Sequence, residues 1–341
     1  MIYKDTLNRL LARQDLAHDE MLALMRALMG GELAPEQIAA AIIALRCKGE
    51  TVTEIAAAAE VMRELSAKVM VADRSHLVDT CGTGGDSLHT FNISTTAAFV
   101  AAACGARVAK HGGRAVSSGS GSADVLEHLG VNLNVSPERV GQLIDLVGLG
   151  FLFAPNHHSA MKHAAPVRKA LGVRTLFNVL GPLTNPAGAP NQLLGVFNRG
   201  LTRTLAEVLQ MLGSRHVMVV HGSDGLDEIT LSGETFVCEL KGNEVSEYLL
   251  TPERFGIQRA DISSIRVDGV AQSAEVLRGV LEGKPGPAAD VVALNAGAAV
   301  YVAGVTSSLE DGVARARHAL ADGTAAARLD ALTRASATPQ G

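Results

Sequence analysis

Tryptophan is absent from this 341-residue chain, and aromatic residues make up only 3% of it. So few aromatic rings argue against the flat platforms on which nucleic-acid bases stack. The formal charge is −5, from 30 Lys and Arg against 35 Asp and Glu, so the basic excess typical of nucleic-acid binders is also missing. The composition therefore disfavours a nucleic-acid-binding function.

Cysteine is scarce as well, and long apolar runs are missing. The four cysteines, at 47, 81, 104 and 238, form no Cys-x-x-Cys pair and have no histidine spacing typical of zinc, which predicts reduced thiols in a cytoplasmic protein. The N-terminus has no apolar signal core. The longest apolar run, residues 291–305, falls short of the ~18 residues that a membrane span needs, and we predict that it forms buried core.

Glycine is abundant, at 35 residues, and 47% of the chain is apolar, which is typical of a folded chain with a substantial core. Residues 1–70 show helical patterns. One helix ends at Gly30, a second begins at Pro35, and a third begins at the capping-box pair Thr51 and Glu54 and runs towards Lys68. This part predicts a small helical unit.

From residue 77 the pattern changes to short apolar runs that end in glycine loops. Residues 77–79, 107–109 and 216–221 predict strands, residues 94–103 predict a helix, and a mostly apolar run at 175–180 ends at Gly181 and Pro182. Strands that alternate with helices at this spacing favour an α/β fold with a mostly parallel central sheet and helices on both faces.

The first motif that could bind a ligand is Gly82-Thr-Gly-Gly-Asp86, directly after the first strand. Its backbone N–H groups can converge on an anion, and the segment from Asn92 to Thr96 offers hydroxyls at a helix start. Beside a phosphate, Asp86 would take a ribose hydroxyl, order the loop or face a metal. The alternative is a tight glycine turn followed by a Ser/Thr N-cap, since the motif is neither a P-loop nor a dinucleotide fingerprint.

A second motif, Lys110-His-Gly-Gly-Arg114, follows the second strand, and a Ser/Gly segment at 117–122 opens the next helix. Two cations around two glycines suit a polyanion. The Ser/Gly segment by itself would also suit a flexible linker. Together, the two motifs predict one ligand with two phosphate groups at the carboxyl ends of the strands.

Two smaller groups complete the candidates. Asp227 and Glu228 follow the strand at 216–221 and suit Mg²⁺, which prefers one or two carboxylates plus substrate phosphate; solvated surface is the alternative. The pair His157 and His158 could bind a metal, orient an organic substrate or cap a helix, but no third ligand for zinc lies nearby. Arg168 suits a carboxylate, or is a plain surface arginine.

Together these motifs resemble the anthranilate phosphoribosyltransferases of tryptophan biosynthesis. The resemblance covers nearly the whole chain and extends to Ser122-Ala-Asp124, Phe153-Ala-Pro155, the run from Phe177 to Pro186, and Leu294-Asn-Ala-Gly297. It implies transfer of the phosphoribosyl group from phosphoribosyl pyrophosphate (PRPP) to the amine of anthranilate. The products are N-(5-phosphoribosyl)anthranilate and pyrophosphate, in the second step from chorismate.

The resemblance also implies an architecture and partners. A small N-terminal helical domain, residues 1–70, is joined by a helical segment near 165–190, and a larger α/β domain, residues 71–164 and 191–341, binds PRPP. The family forms homodimers through the helical part and uses Mg²⁺, two ions per monomer. No nucleic acid and no membrane is implied as a partner.

Site residues are carried over by motif. For the PRPP site the resemblance implies Gly82, Gly85, Asp86, Thr90, Asn92, Ile93, Ser94, Thr95, Lys110, His111, Gly112, Gly113, Arg114, Ala115, Val116, Ser117, Ser118 and Ser122. For anthranilate it implies Gly82, His157, Arg168 and Gly113, and for the metal ions Ser94, Asp227 and Glu228.

The chain departs from the family pattern at Gly113, where the family has Asn, and at Gly119, where Lys or Arg is frequent. No activated nucleophile is visible and none is needed, because an aromatic amine can attack the ribose as pyrophosphate leaves; we assign no general acid or base. The alternatives are a nucleoside phosphorylase-like enzyme and a non-catalytic nucleic-acid-binding relative of the same fold. The paired carboxylates and the net charge of −5 disfavour them.

Overall fold

Four helices open the chain and form the helical unit predicted from the sequence. The computed structural model of the protein describes residues 3–115 and 119–337. The four helices are α1 (Tyr3–Leu11), α2 (His18–Met29), α3 (Pro35–Lys48) and α4 (Val52–Glu64).

The boundaries of these helices follow the local signals. Helix α2 ends at Gly30, and α3 begins with Pro35, whose fixed φ suits a first turn. The capping box of α4 is confirmed: Thr51 Oγ1 accepts from Glu54 N over 3.2 Å, and Glu54 Oε2 accepts from Thr51 N over 2.8 Å. Helix α4 ends at Glu64 and does not reach Lys68, since Ser66 donates from both N and Oγ to a carbonyl of the last turn.

A seven-stranded sheet forms the centre of the rest of the chain. Its order is β3-β2-β1-β4-β5-β6-β7; the first five strands are parallel and the last two antiparallel, so the predicted mostly parallel sheet is confirmed. The strands are β1 (Leu77–Thr80), β2 (Arg107–Gly112), β3 (Leu149–Phe153), β4 (Asn191–Gly195), β5 (His216–Gly222), β6 (Thr235–Lys241) and β7 (Glu244–Leu250).

The strand order reverses at β1, which pairs with β2 on one side and β4 on the other. In such sheets ligands bind outside the carboxyl ends of the strands, at the reversal point. The loops that follow β1, β2, β4 and β5 therefore share one edge of the sheet. All four loops that carry the sequence motifs or flank them begin at this edge.

Helices cover both faces of the sheet. They are α5 (Ile93–Ala103), α6 (Ser122–His128), α7 (Pro137–Val147), α8 (Ala154–His157), α9 (Ala165–Leu171), α10 (Phe177–Leu180), α11 (Leu201–Met211), α12 (Gly269–Leu281), α13 (Pro287–Val302), α14 (Leu309–Ala321) and α15 (Thr324–Ala337). The apolar run at 175–180 thus folds as the short helix α10.

On β4 and β5 the two faces of the sheet belong to two different cores, while a third, smaller core includes Leu77 of β1, Ala109 of β2 and Leu152 of β3. On β4 and β5, Leu193, Met218 and Val220 pack with α5 and α13, whereas Val217 and Val219 pack with α2–α4, α9, α10 and α11. This alternation is the period of two that a strand imposes. The helical unit is therefore joined to the sheet through a continuous apolar core, while the predicted domain boundaries stay a prediction.

The apolar run at 291–305 lies mainly in α13, which is buried along most of its length, as predicted. Its crossing with α14 depends on two glycines: a Cβ on Gly297 would lie 2.6 Å from Val313 backbone atoms, and one on Gly312 would lie 2.3 Å from the Gly297 carbonyl. No helix in the described residue ranges is long and apolar enough to cross a membrane. The four cysteines are free thiols.

Away from the sheet edge at which the motif-bearing loops begin, β5 and β6 carry a polar cluster around Glu239. Its carboxylate accepts from His216 Nε2 at 2.7 Å, Tyr248 Oη at 2.6 Å and Tyr301 Oη at 2.9 Å, and Lys241 Nζ donates to the Tyr301 hydroxyl. Burial by itself would raise the pKa of Glu239, but these hydrogen bonds outweigh burial and lower that pKa from 4.5 to about 2. The cluster therefore stabilises the fold through the ionised carboxylate.

We expect Glu239→Gln to lower the free energy of unfolding by about 2 kcal/mol at pH 7, the range of a hydrogen bond to a charged group. A carboxyl whose folded pKa is lowered contributes stability that is present above its unfolded pKa and is lost as pH falls towards the folded pKa. The difference between the two proteins should thus shrink from about pH 4.5 to about pH 2. Urea unfolding across this range measures it, and a pH-independent difference would contradict the assignment.

Candidate active site

The first glycine loop is fastened to the loops after β4 and β5. Gly84 N donates to Asp227 Oδ2 over 2.8 Å, Thr83 N donates to the Gly195 carbonyl over 2.9 Å, and Thr83 Oγ1 accepts from Phe197 N over 3.1 Å. Three loops from three strands are thereby joined at one edge of the sheet. The predicted residues Gly82 and Asp227 meet there: a Cβ on Gly82 would lie 3.0 Å from Asp227 Oδ2.

Gly195, the last residue of β4, makes this meeting possible, and sequence reasoning missed it. A Cβ at position 195 would lie 1.5 Å from the Asp227 carbonyl oxygen, so no other residue fits while the loop keeps its place. The only signal in the sequence is a glycine at the end of an apolar run. Such a glycine is also typical of ordinary strand ends, so the pattern does not identify the contact.

Three carboxylates lie together behind the glycine loop. Loss of hydration, followed by the negative charges of Asp86 and Glu228, raises the pKa of Asp227 well above its ordinary 3.8. Burial raises the pKa of Glu228 to about 7, although the Lys110 charge and the hydroxyl and N–H of Ser94 oppose that rise. The cluster therefore holds negative charge that the protein itself only partly neutralises.

A divalent cation fits this donor set. Carboxylate and hydroxyl oxygens from Asp86, Ser94, Asp227 and Glu228 are the hard ligands that Mg²⁺ prefers, and a cation would remove the repulsion among the acids. In the part of the chain that the structure describes, no three His, Cys, Asp or Glu side chains already form a metal-ligand set. Mg²⁺ in proteins usually keeps several waters and is completed by substrate phosphate.

Lys110 lies inside the site, below the loops. Its side chain is buried, and Nζ donates to the Thr80 carbonyl over 2.5 Å and to Ser94 Oγ over 3.2 Å. It joins the end of β1 to the start of α5, and its charge favours the ionised form of Glu228. The structure thus brings the predicted residues Ser94, Lys110 and Glu228 together.

At the start of α5 there is no side-chain N-cap of the kind that the alternative interpretation of this segment requires. Asn92 occupies the cap position without a side-chain cap bond, and its Oδ1 accepts instead from Ser120 Oγ at 3.0 Å and Ser273 Oγ at 2.8 Å. The simple Ser/Thr N-cap interpretation is therefore wrong. The Asn92 amide ties the Ser/Gly segment to α12.

Three further predicted residues of this stretch have structural surroundings. Ile93 and Thr95 are almost fully buried, and Thr95 Oγ1 has no hydrogen-bond partner. Thr90 forms an isolated antiparallel bridge with Arg266. The side chains of Ile93 and Thr95 thus face the protein interior, whereas Ser94 faces the carboxylates.

The loop after β2 closes on Asp124, which the sequence suggested only within a longer motif. Asp124 Oδ2 accepts from Ala115 N at 2.9 Å and Gly121 N at 3.0 Å. Arg114, a predicted anion ligand, pairs with Asp124 and Glu127 at 2.9 Å each. The predicted residues Val116, Ser117 and Ser118 lie outside the described residues.

Gly112 and Gly113, adjacent in this loop, have opposite surroundings. A Cβ on Gly112 would lie 3.0 Å from the Phe151 ring and 3.4 Å from Ser122 Cβ, the first residue of α6. At Gly113 no atom lies within 4 Å of a Cβ position, and its φ is outside the left-handed region. A side chain at position 113 would therefore meet neither a clash nor backbone strain.

Beneath the loops, β1 and β2 are locked by Asp79. Its carboxylate accepts from His111 N at 3.1 Å and from Asn185 Nδ2 at 2.7 Å, and the same amide donates to the Ala109 carbonyl. Burial raises the pKa of Asp79 to about 6, opposed by the Asn185 bond and the Lys110 charge. This network fixes where the second loop leaves the sheet.

His111 and His158 form a buried neutral pair. His111 Nδ1 lies 3.1 Å from the Gly181 carbonyl, and the two Nε2 atoms are 3.2 Å apart. Burial lowers the pKa of His111 to about 3 and that of His158 to about 4, and neighbouring histidines add to both shifts. Nδ1–H of His111 therefore donates to Gly181, and Nε2–H of His158 donates to Nε2 of His111.

His157 and Arg168 lie on α8 and α9. His157 is only 2% exposed, and its Nδ1 is 3.0 Å from the Ala67 carbonyl, so this ring contacts the linker after α4. The structure thus brings His158, not His157, to His111. The guanidinium of Arg168 packs 5.2 Å from the Phe177 ring and has no ion pair in the described part of the chain, which leaves it able to take an anion.

Comparison with known proteins agrees with this geometry. Residues 4–66 match the helical bundle domain of a glycosyl transferase family, and residues 74–326 match its a/b domain. The anthranilate phosphoribosyltransferase of Chromobacterium violaceum is 64% identical over 96% of this chain and 95% of its own length; that of Thiobacillus denitrificans is 62% identical, with 96% of each chain covered. The chain belongs to the anthranilate phosphoribosyltransferase family. It is thus a glycosyltransferase by family, and the resemblance seen in the sequence is confirmed.

Solved structures of this family superimpose closely. The Thermus thermophilus anthranilate phosphoribosyltransferase has a TM-score of 0.93 and 47% identity, with 98% of this chain and 100% of that chain covered. The Saccharomyces cerevisiae enzyme in complex with PRPP and Mg has a TM-score of 0.83 and 29% identity, over 94% and 92%. Its complex with 4-fluoroanthranilate has a TM-score of 0.88 and 26% identity, over 98% and 97%.

We expect the double substitution Asp227→Asn, Glu228→Gln to raise the melting temperature in the absence of divalent cations by roughly 2–4 °C, because it removes repulsion among buried acids. The same protein should lose Mg²⁺ binding. Differential scanning calorimetry and Mg²⁺ titration measure the two effects.

The exposed Glu234, on the approach to β6, offers a matched control, and Glu234→Gln should change neither quantity. A double variant that melts lower than the parent and still binds Mg²⁺ would contradict the carboxylate assignment.

Proposed function

We propose that this protein transfers the phosphoribosyl group from PRPP to the amine of anthranilate, with release of pyrophosphate, in tryptophan biosynthesis. The observation that carries the proposal is the joining of the glycine loop after β1 to the acidic loop after β5, through the 2.8 Å bond from Gly84 N to Asp227 Oδ2. This bond places an N–H-rich anion cradle beside a cation-binding acid cluster.

The chain's own groups suit a displacement at C1 of the ribose. The aromatic amine attacks as pyrophosphate leaves, so the protein has to position two substrates and neutralise the charge of the leaving group. The Thr83 and Gly84 N–H groups are already bonded to the Gly195 carbonyl and to Asp227 Oδ2, so the anion would be bound by the other backbone N–H groups of the loop at 82–86, with the Lys110 charge below them. Mg²⁺, two ions per monomer in our proposal, would be held by Asp86, Ser94, Asp227 and Glu228 and would neutralise the pyrophosphate.

No group of the protein is assigned as general acid or base. His111 and His158 have pKa values lowered to about 3 and about 4, so both rings are neutral near pH 7 and provide no acidic proton. Their hydrogen bonds hold the second loop against the segment that carries Gly181. We propose that Arg168, half-buried and without an ion pair in the described residues, faces the anthranilate carboxylate.

We also propose a homodimer assembled through the helical unit, in keeping with the family resemblance. Light scattering of the purified chain measures the assembly. The cytoplasmic location stays a prediction from the cysteine pattern.

The activity is tested by incubating the protein with PRPP, Mg²⁺ and anthranilate and following the loss of anthranilate fluorescence. We expect one pyrophosphate released per anthranilate consumed, and no turnover when Mg²⁺ is chelated. The Asp227→Asn, Glu228→Gln protein is the matched control. Phosphorolysis of nucleosides in place of anthranilate consumption would overturn the proposal in favour of a phosphorylase.

Gly113 is the position at which this chain departs from its family. Because a side chain fits there without a clash, we expect Gly113→Asn to add one hydrogen bond to the substrates, worth roughly 1 kcal/mol. The KM for anthranilate should fall by about fivefold with kcat within a few-fold.

Gly113→Ala is the matched control, since it stiffens the backbone without an amide and should leave the KM nearly unchanged. A higher KM for anthranilate in Gly113→Asn, with turnover of a bulkier ring-substituted amine blocked, would instead indicate that Gly113 makes room for a different acceptor.

A further inference from the structure

A cavity of about 280 Å³ lies between the helical unit and the loop after β4. Arg46 of α3 and Glu50 line it from one side, Phe197 and Asn198 from the other, and the segment around Thr175 completes the wall. None of the sequence motifs points to this space. Its volume suits a small organic molecule more than it suits a nucleotide.

Two polar atoms in the wall have no hydrogen-bond partner. Glu50 Oε1 and Thr175 Oγ1 are both buried and unpaired, and Thr175 is only 5% exposed. A buried polar atom without a partner costs free energy, so native proteins satisfy nearly all of them. Both residues line the cavity, so their side chains offer it a carboxylate and a hydroxyl that can serve as either partner.

Two arginines supply the opposite charge. Arg46 and Arg174 both line the cavity, and neither forms an ion pair in the described part of the chain. The Arg174 guanidinium stacks on the Phe197 ring with its centre 4.0 Å from the ring centroid, which fixes the plane of its donors. Guanidinium groups held in this way suit a carboxylate.

The remaining wall is apolar, formed by Ile55, Leu176, Val179 and Leu201. A ligand that satisfies all three parts carries a carboxylate, a cationic donor and an apolar body. A simple anion does not, because it would place a second negative charge near Glu50. We propose that the cavity binds an α-amino acid with an apolar side chain, its carboxylate on Arg46 and Arg174 and its ammonium on Glu50 and Thr175.

Arg174 also connects the cavity to the first glycine loop, because its Nη2 donates to the Gly85 carbonyl. A bound carboxylate competes for the same guanidinium, so occupancy changes how the loop is held. Binding at the cavity and binding of PRPP are therefore coupled, and by linkage the effect is reciprocal. This coupling rests on the proposed function, whereas the site itself does not.

Calorimetric titration of the full chain with L-phenylalanine tests the site. Two probes of matched shape separate its polar parts: 3-phenylpropanoate lacks the ammonium and phenethylamine lacks the carboxylate. We expect L-phenylalanine to bind at least tenfold more tightly than either probe. Equal binding of 3-phenylpropanoate would show that the site recognises a carboxylate only. No binding of any of the three compounds would show that the cavity is filled by water alone. Either result overturns the proposal.

Variants assign the binding to this cavity. Glu50→Gln should weaken the binding of L-phenylalanine by about tenfold and leave the binding of 3-phenylpropanoate unchanged. Arg46→Gln should weaken the binding of both compounds, because both carry a carboxylate. Arg278→Gln, at an exposed arginine of α12, is the control and should change neither. Equal loss of both compounds in Glu50→Gln, with an unchanged melting temperature, would contradict the ammonium assignment.

PRPP titrations with and without saturating L-phenylalanine test the coupling, with an expected change of several-fold in affinity. Unchanged PRPP affinity would exclude the coupling. Failure of PRPP to bind at all would contradict the proposed function, and the amino-acid titration would still decide the site.

Discussion

The close approach of the Asp227 carbonyl to Gly195 is the constraint on which the active edge depends. Because Gly195 has no Cβ, the loop after β5 lies against the end of β4, and the Asp227 side chain reaches Gly84 N. Any larger residue would push the loop outward and break that bond. Glu228 would then withdraw from Ser94 and Lys110, so the cation cluster and the anion cradle would separate together.

That approach has an electrostatic cost. Packing three carboxylates in a poorly hydrated cluster raises the pKa of Asp227 well above its ordinary value and that of Glu228 to about 7. Lys110 offsets only part of the repulsion, because its Nζ is held by Thr80 and Ser94. The cluster persists because the sheet and its apolar cores fix the positions at which the loops begin. Negative charge held in this way favours a bound cation over a rearranged protein.

Local signals explain what the sequence could predict. The capping box of α4, the proline of α3, the parallel strands and the glycine loop at 82–86 each depend on neighbours a few residues away. Local signals do not predict contacts between residues that are far apart in the chain. Examples are the contacts of Gly195 with Asp227, Asn185 with Asp79, and Asn92 with Ser273. The same reason accounts for the missing side-chain cap at α5, since the Asn92 amide bonds to groups that no local pattern contains. The family resemblance supplied residue names, but not which histidine of the pair meets His111.

The segment between β3 and β4 explains why a phosphate-binding edge is combined with a helical unit. Its His158 and Gly181 contact His111 near the end of β2, and its Arg174 contacts the loop after β1, while α9 and α10 pack with α2–α4 in one core. Both anion loops are therefore held from the helical side as well as from the sheet. Attack of an amine on the ribose needs the reacting atoms about 3–3.5 Å apart and aligned. A protein without a reactive side chain at that point can act only through such positioning, and joining the two loops to one rigid body is the means that this fold provides.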